Sequence, residues 1–86
     1  MKIDDKLKMI ELEIKETYEK LDELSEFYVK LNKQVVKAID EKNYQALDKI
    51  LPTMAIAERQ TTFLKNHLKS ILDIQWKYIQ EILEIK

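Results

Sequence analysis

The chain has 86 residues, enough for one domain, with no glycine, no cysteine and one proline. β-Turns and bulges usually need glycine, so its absence disfavours a β-sheet protein, and the lack of cysteine excludes disulfides and thiolate metal sites. Fifteen basic and sixteen acidic residues give a net charge of −1, which predicts no general attraction to nucleic acid or anionic lipid.

The first predicted element is a long helix over residues 3–40. Mostly apolar side chains recur in it at alternating steps of four and three residues, the spacing of a coiled-coil seam. The seam consists of Ile3, Leu7, Ile10, Ile14, Thr17, Leu21, Leu24, Tyr28, Leu31, Val35 and Ala38. A helix of this length extends for roughly 55 Å at ~1.5 Å per residue.

A break in the pattern at residues 39–47 predicts a turn. Continuing the first seam would place the polar residues Lys42, Gln45 and Lys49 in it. Asp40 and Asn43 are both favourable helix-capping and turn residues. We therefore predict a turn at 40–43 and a second helix at 44–86.

The second helix has a seam of its own with the same spacing. It consists of Leu47, Ile50, Met54, Ala57, Thr61, Leu64, Leu68, Ile71, Gln75, Tyr78, Ile82 and Ile85. Pro52 lies inside this helix and removes one backbone hydrogen bond, so we expect a kink there. Two alternatives stay open: a break at Pro52 would give three helices, and a skip in register would give one uninterrupted helix.

The charge distribution favours a chain that folds back on itself. A reversal near residue 42 brings residues 11–26, with seven acidic and two basic side chains, against residues 58–73. This second window contains Arg59, Lys65, Lys69 and His67 against two acidic residues, Glu58 and Asp73. Exposed ion pairs contribute only ~0.2–1 kcal/mol each, so they select this pairing rather than hold it together. The predicted fold is all-α: a single domain over 1–86, an antiparallel helical hairpin that assembles into a helical bundle.

Side chains that could support catalysis or metal binding form no recognisable motif. His67 is the only histidine and has no Glu-x-x-His spacing, so we interpret it as a surface or boundary residue. The row Glu16, Glu19, Glu23 and Glu26 lies off the seam, where water solvates it. We expect no catalytic, metal or cofactor site, no small-molecule substrate and no enzyme activity.

Charge and hydropathy argue against nucleic acid and membranes as partners. The basic patch of Arg59, Lys65 and Lys69 is short for a nucleic-acid interface and has no stacking aromatic array, so we expect no nucleic-acid binding. The N-terminal stretch lacks the apolar core of a signal peptide, and no apolar run approaches the ~18 residues of a membrane span. These features predict a cytoplasmic protein without membrane contact.

The C-terminal stretch "SILDIQWKYIQEILEIK", residues 70–86, has more apolar circumference than one neighbouring helix covers. At 100° per residue, the seam forms one ridge, and a second ridge lies roughly 130° away. This second ridge, which we call the C-terminal ridge, consists of Leu72, Trp76, Ile79 and Leu83. It is internal core if the chain bends at Pro52 into three helices, and otherwise a surface that binds another chain. We favour binding, because Trp is strongly enriched among interface hot spots.

The segment "LNKQVVKAIDEKNYQALDKIL…ERQTTFLKNHLKSIL" resembles the FlgN and FliT type of bacterial flagellar export chaperones, which are small helical proteins with long helix pairs. Ala38, Asn43 and Leu47 correspond roughly to their turn pattern, and residues 59–64 to a later amphipathic element. The resemblance implies a cytoplasmic chaperone that holds an aggregation-prone helix of an export substrate against its C-terminal apolar groove.

Two hypotheses for function follow. The first is a protein–protein interaction module that captures an amphipathic helix of a partner, with the C-terminal ridge as its anchor. The alternative is a self-associating structural protein, in which two hairpins form a four-helix-bundle homodimer.

Overall fold

The structure is a computed structural model that describes residues 2–85, with side chains for residues 5–84. Two α-helices, α1 (Lys2–Asp40) and α2 (Tyr44–Ile85), form an antiparallel hairpin, and these residues include no strand. The predicted all-α hairpin is confirmed. Lys86, the predicted end of the second helix, lies outside the described residues, as do the seam side chains of Ile3 and Ile85.

The hairpin is a thin rod rather than a globule. It measures 66 × 15 × 14 Å and has a radius of gyration of 19.4 Å, whereas a compact domain of this length has one of about 12 Å. α1 packs against α2 from the turn to the open end, where the Lys6 ammonium lies 5.5 Å from the centre of the Tyr78 ring. Each helix therefore has a single neighbour, and much of its circumference faces solvent.

The end of α1 is closed by a Schellman motif. The Asn43 N–H donates to the Ala38 carbonyl at 2.8 Å, and the Lys42 N–H donates to the Ile39 carbonyl at 3.1 Å. Lys42 adopts a positive φ of 55° at the position where helices usually carry glycine. In a chain without glycine, a lysine has to take up the left-handed conformation that reverses the backbone.

Asn43 also begins the second helix. Its side-chain Oδ1 accepts a hydrogen bond from the Ala46 N–H at 3.2 Å, the geometry of an N-cap. Of the two capping candidates, Asn43 therefore caps α2, and Asp40 is the last residue of α1. One asparagine joins the two helices through its backbone on one side and its side chain on the other.

α2 runs without interruption from Tyr44 to Ile85, through Pro52. The three-helix alternative is therefore wrong, and the turn after Asp40 excludes the single long helix. Pro52 cannot donate a backbone hydrogen bond to the preceding turn. The half-buried seam residues on either side of it, Ile50 and Met54, keep the helix packed across this defect.

Burial differs between the two rows of residues that make up each seam. In heptad notation, the row that contains Leu7, Ile14 and Leu21 occupies the a positions, and the row that contains Ile10, Thr17 and Leu24 occupies the d positions. Among the described side chains, the buried ones recur at multiples of seven residues along each helix, at the d positions. They are Ile10, Thr17, Leu31 and Ala38 in α1 and Ala57 and Ile71 in α2. The other d residues, Leu24, Ile50, Leu64 and Tyr78, are half-buried. No described a position is fully buried: all are half-buried except Tyr28, which is exposed. The line of contact between the helices therefore runs along the d positions, to one side of the predicted seam.

The polar seam residues satisfy their hydroxyls locally. Thr17 is 4% exposed and donates to the Glu13 carbonyl at 2.7 Å, and Thr61 donates to the Ala57 carbonyl at 2.9 Å. Such bonds to the preceding turn need no partner from the other helix. Both threonines are thus compatible with an otherwise apolar contact.

Candidate functional site

The hairpin has two open sides, each with a groove between the helices. A groove of about 530 Å³ defines the front face, and its lining includes Tyr18, Leu21, Tyr28, Val29, Glu58 and Lys65. A groove of about 590 Å³ defines the back face, and its lining includes Lys20, Phe27, Arg59, Gln60, Phe63 and Leu64. The two grooves differ in which seam residues line them.

The half-buried row of the seam opens toward the front face. Leu21, Tyr28 and Thr61, all at a positions, line the front groove. The seam residues that line the back groove, Leu24 and Leu64, are both at d positions, and Leu24 lines the front groove as well. Because the contact line runs along the d positions, the apolar stripe of both helices continues past it onto the front face.

The C-terminal ridge extends this stripe to the open end of the hairpin. Residues seven apart lie on the same side of a coiled-coil helix, so Leu72 lies on the same side as Lys65 of the front groove. Trp76 and Leu83 are 59% and 65% exposed, Leu72 is 40% exposed, and Ile79 is half-buried. The ridge is therefore not internal core of this chain; its binding of another chain stays a prediction.

A second apolar cluster, which the heptad pattern alone did not predict, lies on the front face near the turn. Val36 follows Val29 of the groove by seven residues, and Leu51 precedes Glu58 by seven. Val36, Ile39, Tyr44 and Leu51 are all exposed, and we call them the turn patch. The front face thus carries an apolar cluster at each end of the rod.

A simple signal in the sequence could have found the turn patch. Three of the four turn-patch residues directly follow a seam residue: Val36 follows Val35, Ile39 follows Ala38 and Leu51 follows Ile50. In a helix the next residue is rotated by about 100°, so residues that follow the seam widen the apolar stripe toward the front face. Phe27 and Phe63, which precede seam residues, widen it toward the back groove. The same rule applies to the four residues of the C-terminal ridge.

Among the described side chains, the acidic and basic windows are joined by one hydrogen-bond contact, between His67 and Glu13. The His67 Nε2 and Glu13 Oε1 atoms lie 3.1 Å apart, and the His67 ring stacks on Phe63 with centroids 6.5 Å apart. For Arg59, Lys65 and Lys69, no carboxylate of the described side chains comes within 4.0 Å. The acidic and basic windows face each other, but most of their charges remain in solvent.

Among the described side chains, no group of three or more acidic or histidine residues is placed to hold a metal ion. Neither helix, over the range described, contains a stretch that is both long and apolar enough to cross a membrane.

Comparisons with protein-family models, with curated proteins and with solved structures gave no match. The geometry of the front face is therefore what the functional proposal rests on.

Proposed function

We propose that the protein is a non-enzymatic protein–protein interaction module that binds helices of another polypeptide through its front face. The observation that carries the proposal is the exposed C-terminal ridge, which continues the half-buried seam row. A helix whose apolar stripe is wider than one neighbour covers needs a second neighbour. Binding of an amphipathic helix along an apolar groove supplies one.

The C-terminal ridge has the composition of a binding anchor. Trp76 lies at its centre, with Leu72 on one side and Leu83 on the other along the helix. Burial of an aromatic side chain removes roughly 150–250 Å² of surface from water, and tryptophan is prominent among interface hot spots. Lys65 and Lys69 precede the ridge on the same side and set a polar boundary to it.

This function has two possible forms, which differ in the protein that supplies the bound helix. In the first form, the helix belongs to a different protein, as in a small cytoplasmic export or secretion chaperone; the resemblance to the FlgN and FliT type supports it. In the second form, the helices belong to another copy of the chain. The turn patch supports the second form, because capture by the C-terminal ridge alone would leave this patch uncovered.

The proposal is tested by photo-crosslinking from two aromatic positions on opposite faces. A benzophenone amino acid replaces Trp76 on the front face in one variant and Phe63, 70% exposed on the back face, in the control. We expect crosslinks to another polypeptide chain from position 76 in the native host cell and few from position 63. Mass spectrometry of the crosslinked peptide identifies its owner. Absence of crosslinks from position 76, or equal yields from both positions, would contradict the proposal.

A further inference from the structure

We infer that the helices covering the front face belong to a second copy of the chain, turned end for end, so that two hairpins form an antiparallel four-helix bundle. This inference rests on the proposed function, since it names the partner of the same face. Three features of the hairpin support it: its exposed area, the positions of its apolar clusters and the order of its charges.

The exposed area of the single hairpin is large for its mass. The chain exposes 7253 Å² at 10.3 kDa, whereas a folded monomer of that mass exposes about 5,400 Å². The excess is roughly 1,900 Å² per chain, within the range of roughly 1,000–2,500 Å² that each subunit of an obligate dimer buries. One further hairpin on the front face is a partner of suitable size.

The two apolar clusters of the front face are complementary in an antiparallel dimer. They lie at opposite ends of a rod 66 Å long, the C-terminal ridge at the open end and the turn patch at the turn. When one hairpin is turned end for end, α2 of one copy lies over α2 of the other. The ridge of each copy then meets Tyr44 and Leu51, the α2 part of the other copy's turn patch, and the contact occurs twice, as a two-fold axis requires.

A parallel arrangement would match the clusters poorly. It would place the ridge of α2 over the open end of the partner's α1. The front side of α1 carries Lys8, Glu11 and Lys15 there, because Lys8 and Lys15 precede Asp22 of the groove by two and one heptads and Glu11 precedes Tyr18 by one. Burying these charges against Trp76 would be unfavourable without partners.

One antiparallel register, with the two-fold axis near the middle of α2, brings apolar side chains of the two copies together. With the two-fold axis near Thr62, side chains equally far on either side of this residue meet across the interface. Leu72 lies ten residues after Thr62, and Leu51 lies eleven before it. Trp76 lies fourteen residues after, within one helical turn of the level of Leu51. Apolar side chains of the two copies therefore lie at the same heights along the bundle axis.

The charges near the axis agree with this register. Lys65 and Lys69 follow Thr62 by three and seven residues, and Glu58 precedes it by four. Both lysines of one copy therefore lie beside Glu58 of the other. Within one hairpin these lysines have no described carboxylate within 4.0 Å. The dimer supplies the acidic partner that the single chain does not.

The first experiment measures mass by sedimentation equilibrium, with folding checked by circular dichroism. We expect the protein to be a dimer, with twice the 10.3 kDa of one chain. Trp76→Glu should convert it into a monomer, and the matched control Phe63→Glu, on the back face, should leave it dimeric. Dimers that persist in Trp76→Glu, or that are lost only in Phe63→Glu, would overturn the assignment of the front face.

A charge exchange covers the case in which Trp76→Glu fails to fold. Glu58→Lys changes an exposed side chain and should weaken the dimer at least tenfold, because it places lysines of both copies together. Adding Lys65→Glu and Lys69→Glu to it should restore the dimer. If the triple variant is no tighter than Glu58→Lys, the proposed register is wrong.

The orientation is tested by one label at the turn, since the chain has no cysteine of its own. Spin labels on Glu41→Cys should lie nearly a full rod length apart in the antiparallel dimer, for which the rod measures 66 Å. A parallel dimer would bring them within about two helix diameters, ~25 Å. Labels on Asn66→Cys, near the middle of the rod, give a short distance in the antiparallel dimer and serve as the control.

The outcomes separate this inference from the proposed function. A monomer that crosslinks from position 76 to a peptide of another protein overturns the second copy as partner and leaves the interaction module intact. A monomer without crosslinks overturns both. A dimer whose turn labels lie close together overturns the antiparallel arrangement.

Discussion

Among residues 2–85, Lys42 is the one with a positive φ, 55°, in a chain without glycine. The left-handed conformation costs a residue with a Cβ atom roughly 1–2 kcal/mol, and replacement by glycine removes this cost. The greater freedom of glycine in the unfolded chain offsets about 0.5–1 kcal/mol of that stabilisation. We expect Lys42→Gly to raise the free energy of unfolding by about 0.5–1 kcal/mol in urea titrations followed by circular dichroism.

The control for this prediction is the same replacement one turn earlier. Lys37 lies in the last turn of α1 and has no positive φ, so Lys37→Gly should lower the free energy of unfolding by about 1 kcal/mol. A loss of stability in both variants would contradict the left-handed conformation of Lys42.

Substitutions of Asn43 should change the stability of the hairpin, because the Asn43 side chain caps α2 by accepting a hydrogen bond from the Ala46 N–H. Asn43→Ala should lower the free energy of unfolding by about 1 kcal/mol, and Asn43→Asp should stay within a few tenths of a kcal/mol of the parent. Thermal and urea unfolding measure both. Equal losses in the two variants would mean that the side-chain oxygen does not act as the cap.

At the scale of the helices, Pro52 is the one interior residue that works against its element. Proline in a helix interior is about 3 kcal/mol less favourable than alanine, although some of this is relieved where the helix has adapted to it. We expect Pro52→Ala to raise the free energy of unfolding by about 1–3 kcal/mol. Thr53→Ala, at the next position, should change it by less than about 1 kcal/mol. Equal changes in the two variants would show that the proline imposes no special penalty on α2.

The helices themselves could be predicted from the sequence because the heptad signal is local and repeated. Alternating steps of four and three residues indicated both helices, and the break in that spacing indicated the turn. Local pattern could not choose between Asp40 and Asn43 as the cap, since both residue types cap helices. Nor could it show that α2 continues through Pro52, because packing of Ile50 and Met54 beside α1 is a tertiary contribution.

The front face could be predicted only in part. The C-terminal ridge was found because four apolar residues stand close together in sequence. The turn patch was not, because its residues come from both helices and meet only once the chain has reversed. The spacing of the seam does not show which of its residues are more deeply buried, and the off-centre contact leaves residues such as Leu21 and Tyr28 open to the front.

At the scale of the whole molecule, stability should depend on protein concentration. If folding is completed by association, a hundredfold rise in concentration stabilises the dimer by about 2.7 kcal/mol, which is roughly half that amount for each chain. We expect the thermal midpoint of the parent protein to rise over a hundredfold concentration range in calorimetry.

Trp76→Glu is the variant that isolates this effect. Its thermal midpoint should be lower than that of the parent and independent of concentration, whereas Phe63→Glu should keep the parent's concentration dependence. A constant midpoint for the parent protein would show that the single hairpin is stable on its own.

The rod shape of the hairpin affects how its stoichiometry can be read. A particle 66 Å long and about 15 Å across experiences more friction than a sphere of equal volume, so it elutes early from a gel-filtration column. Two such rods lying side by side gain thickness but almost no length, so their elution differs only slightly from that of one. Elution volume alone would therefore overstate the size of a single chain and understate the change on pairing.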